Sequence, residues 1–154
     1  MCRSPRIDLT RTPTAVLLLV LLVSVGALAT GCGGTGGTLT INDIKLHSGD
    51  LKGWSLTEEV DATTSNAGPK SIVGDLFDAG AIRITNQVFE KDGKKLQVNF
   101  VQMKDADSAR RAETMLKEVP GSMNTIEVKD NIAIEIIGTT ADKELVVKKL
   151  GLSE

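Results

Sequence analysis

From Ala81 onward, apolar and polar residues alternate with the two-residue period that is typical of half-buried strands. One strand carries its apolar side chains at Ile82, Ile84 and Val88, and the next carries them at Leu96, Val98 and Phe100. Lys91-Asp92-Gly93 lies between them. A two-residue Asp-Gly turn would direct the two apolar sets to opposite faces, whereas a three-residue loop with a left-handed Gly93 would place them on one side. We therefore predict a three-residue loop with a bulge.

A helix and a second hairpin follow, and a second helix ends the chain. Asp105 is placed to cap a helix with small and apolar residues on one face, at Ala106, Ala109, Ala112, Leu116 and Val119. The second hairpin turns at Lys129-Asp130-Asn131, and its apolar residues face one another at Ile126, Val128, Ile132, Ile134 and Ile136. The last helix is predicted from Ala141 to Leu150, with Thr140 as its cap and Gly151 after its end.

This ββα-ββα order in the C-terminal two-thirds indicates an α+β fold, an antiparallel sheet with helices packed on one face. The other face is predicted to be polar, with Arg83, Thr85, Gln87, Lys95, Gln97, Asn99, Glu127, Lys129 and Glu135. Phe89, Val101 and Met103 point to that polar face against the pattern. Two interpretations stay open: a solvated face, and a docking surface with these three residues as its apolar anchors.

The segment before Ala81 carries a weaker pattern. We expect short strands at residues 39–41 and 44–46, a turn at Ser48-Gly49-Asp50, and a strand beginning at Trp54, the only tryptophan and an expected core residue. Residues 61–71 hold no large apolar side chain and are predicted to form a loop. Ser71 is placed to cap a short helix that ends at Gly80.

The N-terminal segment has the pattern of a signal peptide. Arg3, Arg6 and Arg11 precede an uncharged apolar run from Ala15 to Ala29. That run is shorter than the roughly 20 apolar residues that a membrane-spanning helix needs. Small residues and a cysteine follow it, as Ala29-Thr30-Gly31-Cys32, which is where a signal peptide is cleaved.

The Ala29–Cys32 stretch resembles the lipobox of bacterial lipoproteins, with Ala29 at the position where leucine is commonest. The resemblance implies cleavage before Cys32, a thioether-linked diacylglyceryl group on its sulfur, and an acyl chain such as palmitate on its amino group. We expect a signal peptide over 1–31, the lipidated cysteine and a glycine-rich tether over 32–38, and a single α+β domain over 39–154. The alternatives are an ordinary signal peptide and an uncleaved anchor.

Lipidation would hold the domain on the extracytoplasmic side of the cell membrane or the outer membrane, since two or three acyl chains bind a bilayer firmly. Gly33 is not the acidic residue that would resemble an inner-membrane retention signal. The outline from Gly53-Trp54 through both hairpins, over roughly Leu51 to Leu150, also resembles small bacterial lipoprotein and periplasmic domains of uncharacterised function. That resemblance implies an envelope protein and brings no active site.

Composition narrows the chemistry of the domain. Aromatic residues are only 3% of the chain, which disfavours stacking platforms for nucleic acids and sugars. The formal net charge is −2 and the leader removes three arginines, so we expect no nucleic-acid partner. The chain has one histidine, and Cys2 and Cys32 belong to the leader and the lipid site. We therefore expect no metal site, disulfide or cofactor.

The strongest candidate for chemistry is the group Asp43, His47 and Asp50, which could bind a metal or form an acid–base pair. The acid pairs Glu58-Glu59 and Asp75/Asp78 are expected to be solvated charge. Because no catalytic motif is present, we predict a non-catalytic envelope protein that binds a protein partner or a ligand. The alternatives are an enzyme using the Asp43 group, and an apolar-ligand carrier with a cavity between sheet and helices, lined by residues such as Phe77, Phe100, Met115 and Leu116.

Overall fold

Two hairpins, one further strand and four helices make up the part of the chain that the structure, a computed structural model, describes. It describes residues 38–62, 71–119 and 124–152, which belong to one compact unit, Thr38–Glu154. In chain order the elements are α1 (Ile41–Ile44), β1 (Ser55–Ala62), α2 (Ile72–Asp78), β2 (Ala81–Lys91), β3 (Lys94–Met103), α3 (Ala106–Lys117), β4 (Thr125–Lys129), β5 (Ile132–Ile137) and α4 (Thr140–Leu150). The predicted signal peptide, Cys32 and the tether up to residue 37 lie outside the described residues.

The strands form one antiparallel sheet in the order β1-β2-β3-β5-β4. The two hairpins, β2–β3 and β4–β5, meet where β3 pairs with β5, and β1 and β4 are the edge strands. The α+β class, the antiparallel sheet and the ββα-ββα order are thereby confirmed.

Both hairpins turn through two residues. Lys91 pairs with Lys94 across Asp92-Gly93, and Lys129 pairs with Ile132 across Asp130-Asn131. Asp92 and Gly93 have φ angles of 49° and 76°, the left-handed pair that a type I′ turn requires and that glycine adopts without steric cost. The three-residue loop is a wrong prediction, because it assumed that the apolar sets of both strands must lie on one side of the sheet.

The two-residue turns send apolar side chains to both faces of the sheet. Face A is the side of β3 that carries Leu96, Val98 and Phe100, and face B is the side that carries Gln97, Asn99 and Val101. α1 and α4 pack on face A, whereas α2 and α3 pack on face B. The prediction that the helices share one face is therefore wrong, because strands with apolar residues on both sides need cover on both sides.

The core of face A is formed by the sheet, α1, α4 and the segment that leads to β1. Its buried side chains are Ile41, Leu46, Leu51, Trp54, Phe89, Leu96, Val98, Phe100, Ile132, Ile134, Ile136, Val146 and Leu150. Trp54 is 6% exposed, which confirms it as a core residue. The two short strands predicted for residues 39–46 are wrong. Thr40 and Asp43 form a capping box that begins α1 there.

Two buried glutamines of face A form hydrogen bonds that attach the segment before β1, residues 38–54, to the sheet. The Gln87 amide donates to the carbonyl oxygen of Leu46 at 2.8 Å and accepts from the backbone N–H of Leu46 at 3.2 Å. Gln102 accepts from the backbone N–H of Ile41 at 3.3 Å. A side-chain amide offers one donor group and one acceptor, as a peptide unit does, so Gln87 pairs with Leu46 much as a neighbouring strand would.

The core of face B lies beneath α2 and α3. Its buried side chains are Leu76, Ala81, Ile84, Val101, Met103, Ala109, Ala112, Leu116, Ile126 and Ala133. Four of these are alanines, and two of the four, Ala109 and Ala112, belong to α3. Large side chains are correspondingly fewer on face B than on face A.

The helix ends follow local sequence signals. The predicted caps Ser71 and Asp105 each accept a hydrogen bond from a backbone N–H in the first turn of α2 and α3. The cap of α4 is Thr139, one residue before the predicted Thr140. Gly151 ends α4 with a left-handed φ of 61°, as predicted, because its missing Cβ leaves that conformation unstrained.

Candidate functional site

A cleft opens on face B between the sheet and the helices α2 and α3, and we name it the face-B cleft. Its volume is about 240 Å³. Strands β1, β2, β3 and β5 contribute its floor and rim, and the two helices contribute its walls. Its lining has a polar part, which comes from β2, β3 and β5, and an apolar part, which comes from β1, β2, β3 and both helices.

The polar part is a row of side chains that crosses three strands. Asn86, Asn99 and Glu135 are direct cross-strand neighbours on β2, β3 and β5. The Asn86 amide donates to Asn99 Oδ1, and Asn99 Nδ2 donates to Glu135 Oε2 at 2.6 Å. Gln97 Nε2 donates to the same Asn99 oxygen at 3.1 Å, and Asn124 Nδ2 donates to Glu135 Oε1. These hydrogen bonds hold the row in a defined arrangement.

The apolar part of the face-B cleft comes from β1, β2, β3, α2 and α3. Its residues are Val60, Ala62, Ile72, Val73, Leu76, Ile84, Val101 and Leu116. Val60 and Ile72 are 50% and 39% exposed, so large apolar side chains are left open to solvent beside the cleft. A concave apolar surface around a few fixed polar groups is the common construction of a small-molecule site.

The predicted docking anchors do not form an exposed surface. Phe89, Val101 and Met103 are 1%, 1% and 0% exposed. Phe89 lies in the core of face A, whereas Val101 and Met103 lie in the core of face B. The prediction of exposed anchors on one polar face is wrong, because helices cover both faces. Of the three, Val101 also lines the face-B cleft.

The polar residues predicted for one exposed face are divided between both faces. Thr85 and Gln87 lie on face A and are fully buried, since their strand is covered there. Gln97, Asn99 and Glu135 lie on face B and form part of the cleft floor.

The residues suggested for a cavity between sheet and helices are also separated. Leu116 lines the face-B cleft. Phe77 and Met115 pack against the core of face B, and Phe100 is buried on face A. A cleft is thus present between sheet and helices, with a lining that shares one residue with the predicted set.

Asp43, His47 and Asp50 line a second groove, of about 270 Å³, beside the end of α4. The backbone N–H and hydroxyl of Thr40 donate to Asp43 at 2.9 and 2.6 Å. Asp50 accepts from the backbone N–H of His47 at 2.7 Å and pairs with Lys149 at 2.9 Å. The hydrogen bonds from Thr40 and from Lys149 lower the pKa of Asp43 and of Asp50 below the ordinary value of 3.8. Both carboxylates are thereby engaged in capping and ion pairing.

All four residues of the two acid pairs are exposed, and one of them, Glu59, accepts hydrogen bonds from other side chains. Glu58, Asp75 and Asp78 are exposed, which confirms them as solvated charge. Glu59 is exposed as well, and it accepts from Lys45 at 2.6 Å and from Gln87 at 2.7 Å. These two hydrogen bonds lower the pKa of Glu59, so its charge contributes to the attachment of the segment before β1.

Comparisons with known proteins add no relative from which a role could be inferred. The chain has no significant match among protein-family models, curated proteins or solved structures. Within residues 38–62, 71–119 and 124–152, no three His, Cys, Asp or Glu side chains are arranged to hold a metal ion. None of the helices in those ranges has the length and apolar character needed to cross a bilayer.

Asn86, which lines the cleft, and Asn124, which donates to Glu135, were not among the predicted site residues. Asn86 interrupts the apolar set of β2, and a two-residue turn places it opposite Asn99. The turn length was thus the signal that could have found it. Asn124 precedes β4 and contacts Glu135 through the fold of the second hairpin, for which the sequence offers no local signal.

Proposed function

We propose that this chain is a lipid-anchored, non-catalytic protein of the cell envelope that binds a small ligand in the face-B cleft. The observation that carries the proposal is the hydrogen-bonded row of Asn86, Asn99 and Glu135 at the floor of an apolar cleft. Exposed Val60 and Ile72 supply apolar surface that a ligand would cover. A ligand with an apolar body and one polar end matches both parts of the cleft.

The volume of the cleft sets the size of this ligand. A cavity of about 150 Å³ is known to hold one benzene molecule. The face-B cleft, at about 240 Å³, is larger than that and smaller than most sites for drug-sized molecules. By proportion it holds roughly ten non-hydrogen atoms, a small molecule or one end of a longer one.

The small number of ionisable side chains in the face-B cleft favours binding over catalysis. Among the described residues that line the face-B cleft, Glu135 is the one ionisable side chain. General acid–base chemistry commonly uses a second titratable group, or a nucleophile beside the base. A binding role requires only the shape and hydrogen-bonding capacity of the cleft, and both are present.

Ligand binding can be tested by titrating small apolar compounds that carry one polar group into the isotope-labelled full chain. We expect the side-chain amide signals of Asn86 and Asn99 to shift. Ile72→Glu should weaken binding about fivefold, the equivalent of about 1 kcal/mol of lost apolar contact. Ile82→Glu is the matched control, because Ile82 is 51% exposed and lies outside the lining of the cleft. Absence of any shift, or equal weakening by both variants, would contradict the proposal.

Lipid anchoring is supported by the Ala29–Cys32 motif and the apolar run before it. Metabolic labelling with a fatty-acid analogue should label the chain, and Cys32→Ala should abolish the label and release the protein from membranes. Cys2→Ala is the control and should keep the label, because Cys2 belongs to the predicted leader. A label that persists in Cys32→Ala would contradict lipidation at Cys32.

A further inference from the structure

Glu135 is a buried carboxylate at the floor of the face-B cleft that has no basic partner among the described residues. It is 8% exposed, and its hydrogen-bond donors are the neutral amides of Asn99 and Asn124. No lysine or arginine is among the described residues lining the cleft. The ion pairs found in the described ranges involve other carboxylates. A buried charge is ordinarily paired, so Glu135 has an unmet preference for a cation.

The hydrogen bonds of the row leave acceptor atoms unused. Both Asn86 and Gln97 donate to Asn99 Oδ1, and their own amide oxygens accept nothing from the described residues. Each Glu135 oxygen accepts one hydrogen bond, although a carboxylate oxygen can accept two. Each amide also keeps a second N–H, so a neutral hydroxyl can bind as well. The charge of Glu135 is therefore what separates one class of ligand from another.

We infer that the ligand of the face-B cleft is a small amphiphile that carries a cationic nitrogen, such as a primary ammonium group. The inference rests on the proposed function, because it names the ligand class of the same cleft. The ammonium group would donate to an unused acceptor position of the Glu135 carboxylate. The apolar body would lie along Ile84 and Leu116. An anionic ligand would instead bring a second negative charge against a buried carboxylate.

Three probes of nearly equal shape separate these possibilities: benzylammonium, benzyl alcohol and phenylacetate. Each fits within the size of roughly ten non-hydrogen atoms. Binding to the full chain is measured from the side-chain amide signals of Asn86, Asn99 and Gln97. We expect benzylammonium to bind at least about tenfold more tightly than benzyl alcohol, since charge-assisted hydrogen bonds are the stronger ones. Phenylacetate should bind most weakly.

Two charge-removing variants locate the preference. Glu135→Gln should reduce the preference for benzylammonium over benzyl alcohol to about threefold or less, since the charge is gone and the shape is kept. Glu127→Gln is the matched control, because it removes the same charge from the same hairpin but lies on face A. It should leave the preference unchanged. Glu135→Asp retains the charge and should retain the preference, which separates loss of charge from loss of fold.

The outcomes distinguish failure of this inference from failure of the proposed function. If benzyl alcohol or phenylacetate binds the unmodified chain as tightly as benzylammonium, the cationic class is wrong while ligand binding in the cleft stands. The same holds if Glu135→Gln keeps a tenfold preference. If none of the three probes shifts the cleft signals, the proposed function fails together with the inference. The comparison of the three probes in the chain without substitutions does not depend on any variant. It therefore tests the inference even if a variant misfolds.

Discussion

Gln87 joins the segment before β1 to the sheet. We expect the replacement of Gln87 by methionine to destabilise the domain. Its side chain is 0% exposed. It makes two hydrogen bonds to the backbone of Leu46 and donates a third to Glu59. Methionine has a similar length and an apolar end, so Gln87→Met fills the same space while it removes all three hydrogen bonds.

The size of the effect follows from what is left unpaired. Leu46 is 1% exposed, so both its N–H and its carbonyl lose their partner in a buried position. An unpaired buried polar group costs about 1–3 kcal/mol, which makes about 4 kcal/mol for the two. Burial of an apolar end in place of an amide offsets about 1 kcal/mol. The expected loss is about 3 kcal/mol, or roughly 12 °C in the unfolding temperature of a domain of this size.

Urea and thermal unfolding of the full chain, followed by the fluorescence of Trp54, measure this loss. Trp54 lies in the same face A core and is the only tryptophan of the chain. Gln97→Met is the control, because Gln97 is half-buried and makes one side-chain hydrogen bond, to Asn99. It should cost less than about 1 kcal/mol. If Gln87→Met costs no more than this control at an unchanged urea slope, the attachment of the segment through Gln87 is refuted.

Two further predictions concern the first turn and acid stability. Gly93→Ala should lower the free energy of unfolding by about 1–2 kcal/mol, because the φ of 76° is strained for alanine. The added Cβ would meet no atom within 4 Å, so this variant tests the backbone conformation alone. A shift in the urea midpoint worth less than about 0.5 kcal/mol would contradict this. The hydrogen bond from Lys149 lowers the pKa of Asp50 in the folded chain below the ordinary value of 3.8. As the pH falls, the Asp50 carboxylate is therefore protonated in the unfolded chain before it is protonated in the folded chain. The free energy of unfolding should decrease as the pH drops through 3.8 toward the folded pKa. Asp50→Asn should flatten that fall in an acid titration of stability, and an unchanged slope would count against the ion pair.

Helix ends and strand periods could be predicted from the sequence because they depend on residues that are close in the chain. Asp105 and Ser71 cap helices and Gly151 ends one, since each supplies the acceptor or the backbone freedom that the terminus needs. The same kind of signal was misjudged before β1. Thr40 and Asp43 stand three residues apart, as a capping box requires, and this local pairing produces α1 where alternation suggested strands.

The candidate site could be predicted only in part, because it depends on turn length and on strands that are distant in the chain. Gln97, Asn99 and Glu135 were grouped correctly as polar residues sharing a face, since alternation alone decides that. The contact between Asn99 and Glu135 joins residues 36 apart and follows from the pairing of β3 with β5. No residue close to Asn99 or Glu135 in the chain indicates that pairing. The cover of both faces by helices is likewise a tertiary property.

The two-residue turns also explain why the cleft lies on face B. Such a turn pairs odd with even positions, so the even side of β2 joins the odd side of β3. Face A thereby receives the large apolar residues of β3 and β5, and its core closes around them. Face B receives Asn86, Asn99 and Glu135 at its centre. Helices that packed tightly over this row would bury unused hydrogen-bonding atoms at a cost of about 1–3 kcal/mol each. An opening at the row avoids that cost and leaves room for the ligand that we propose.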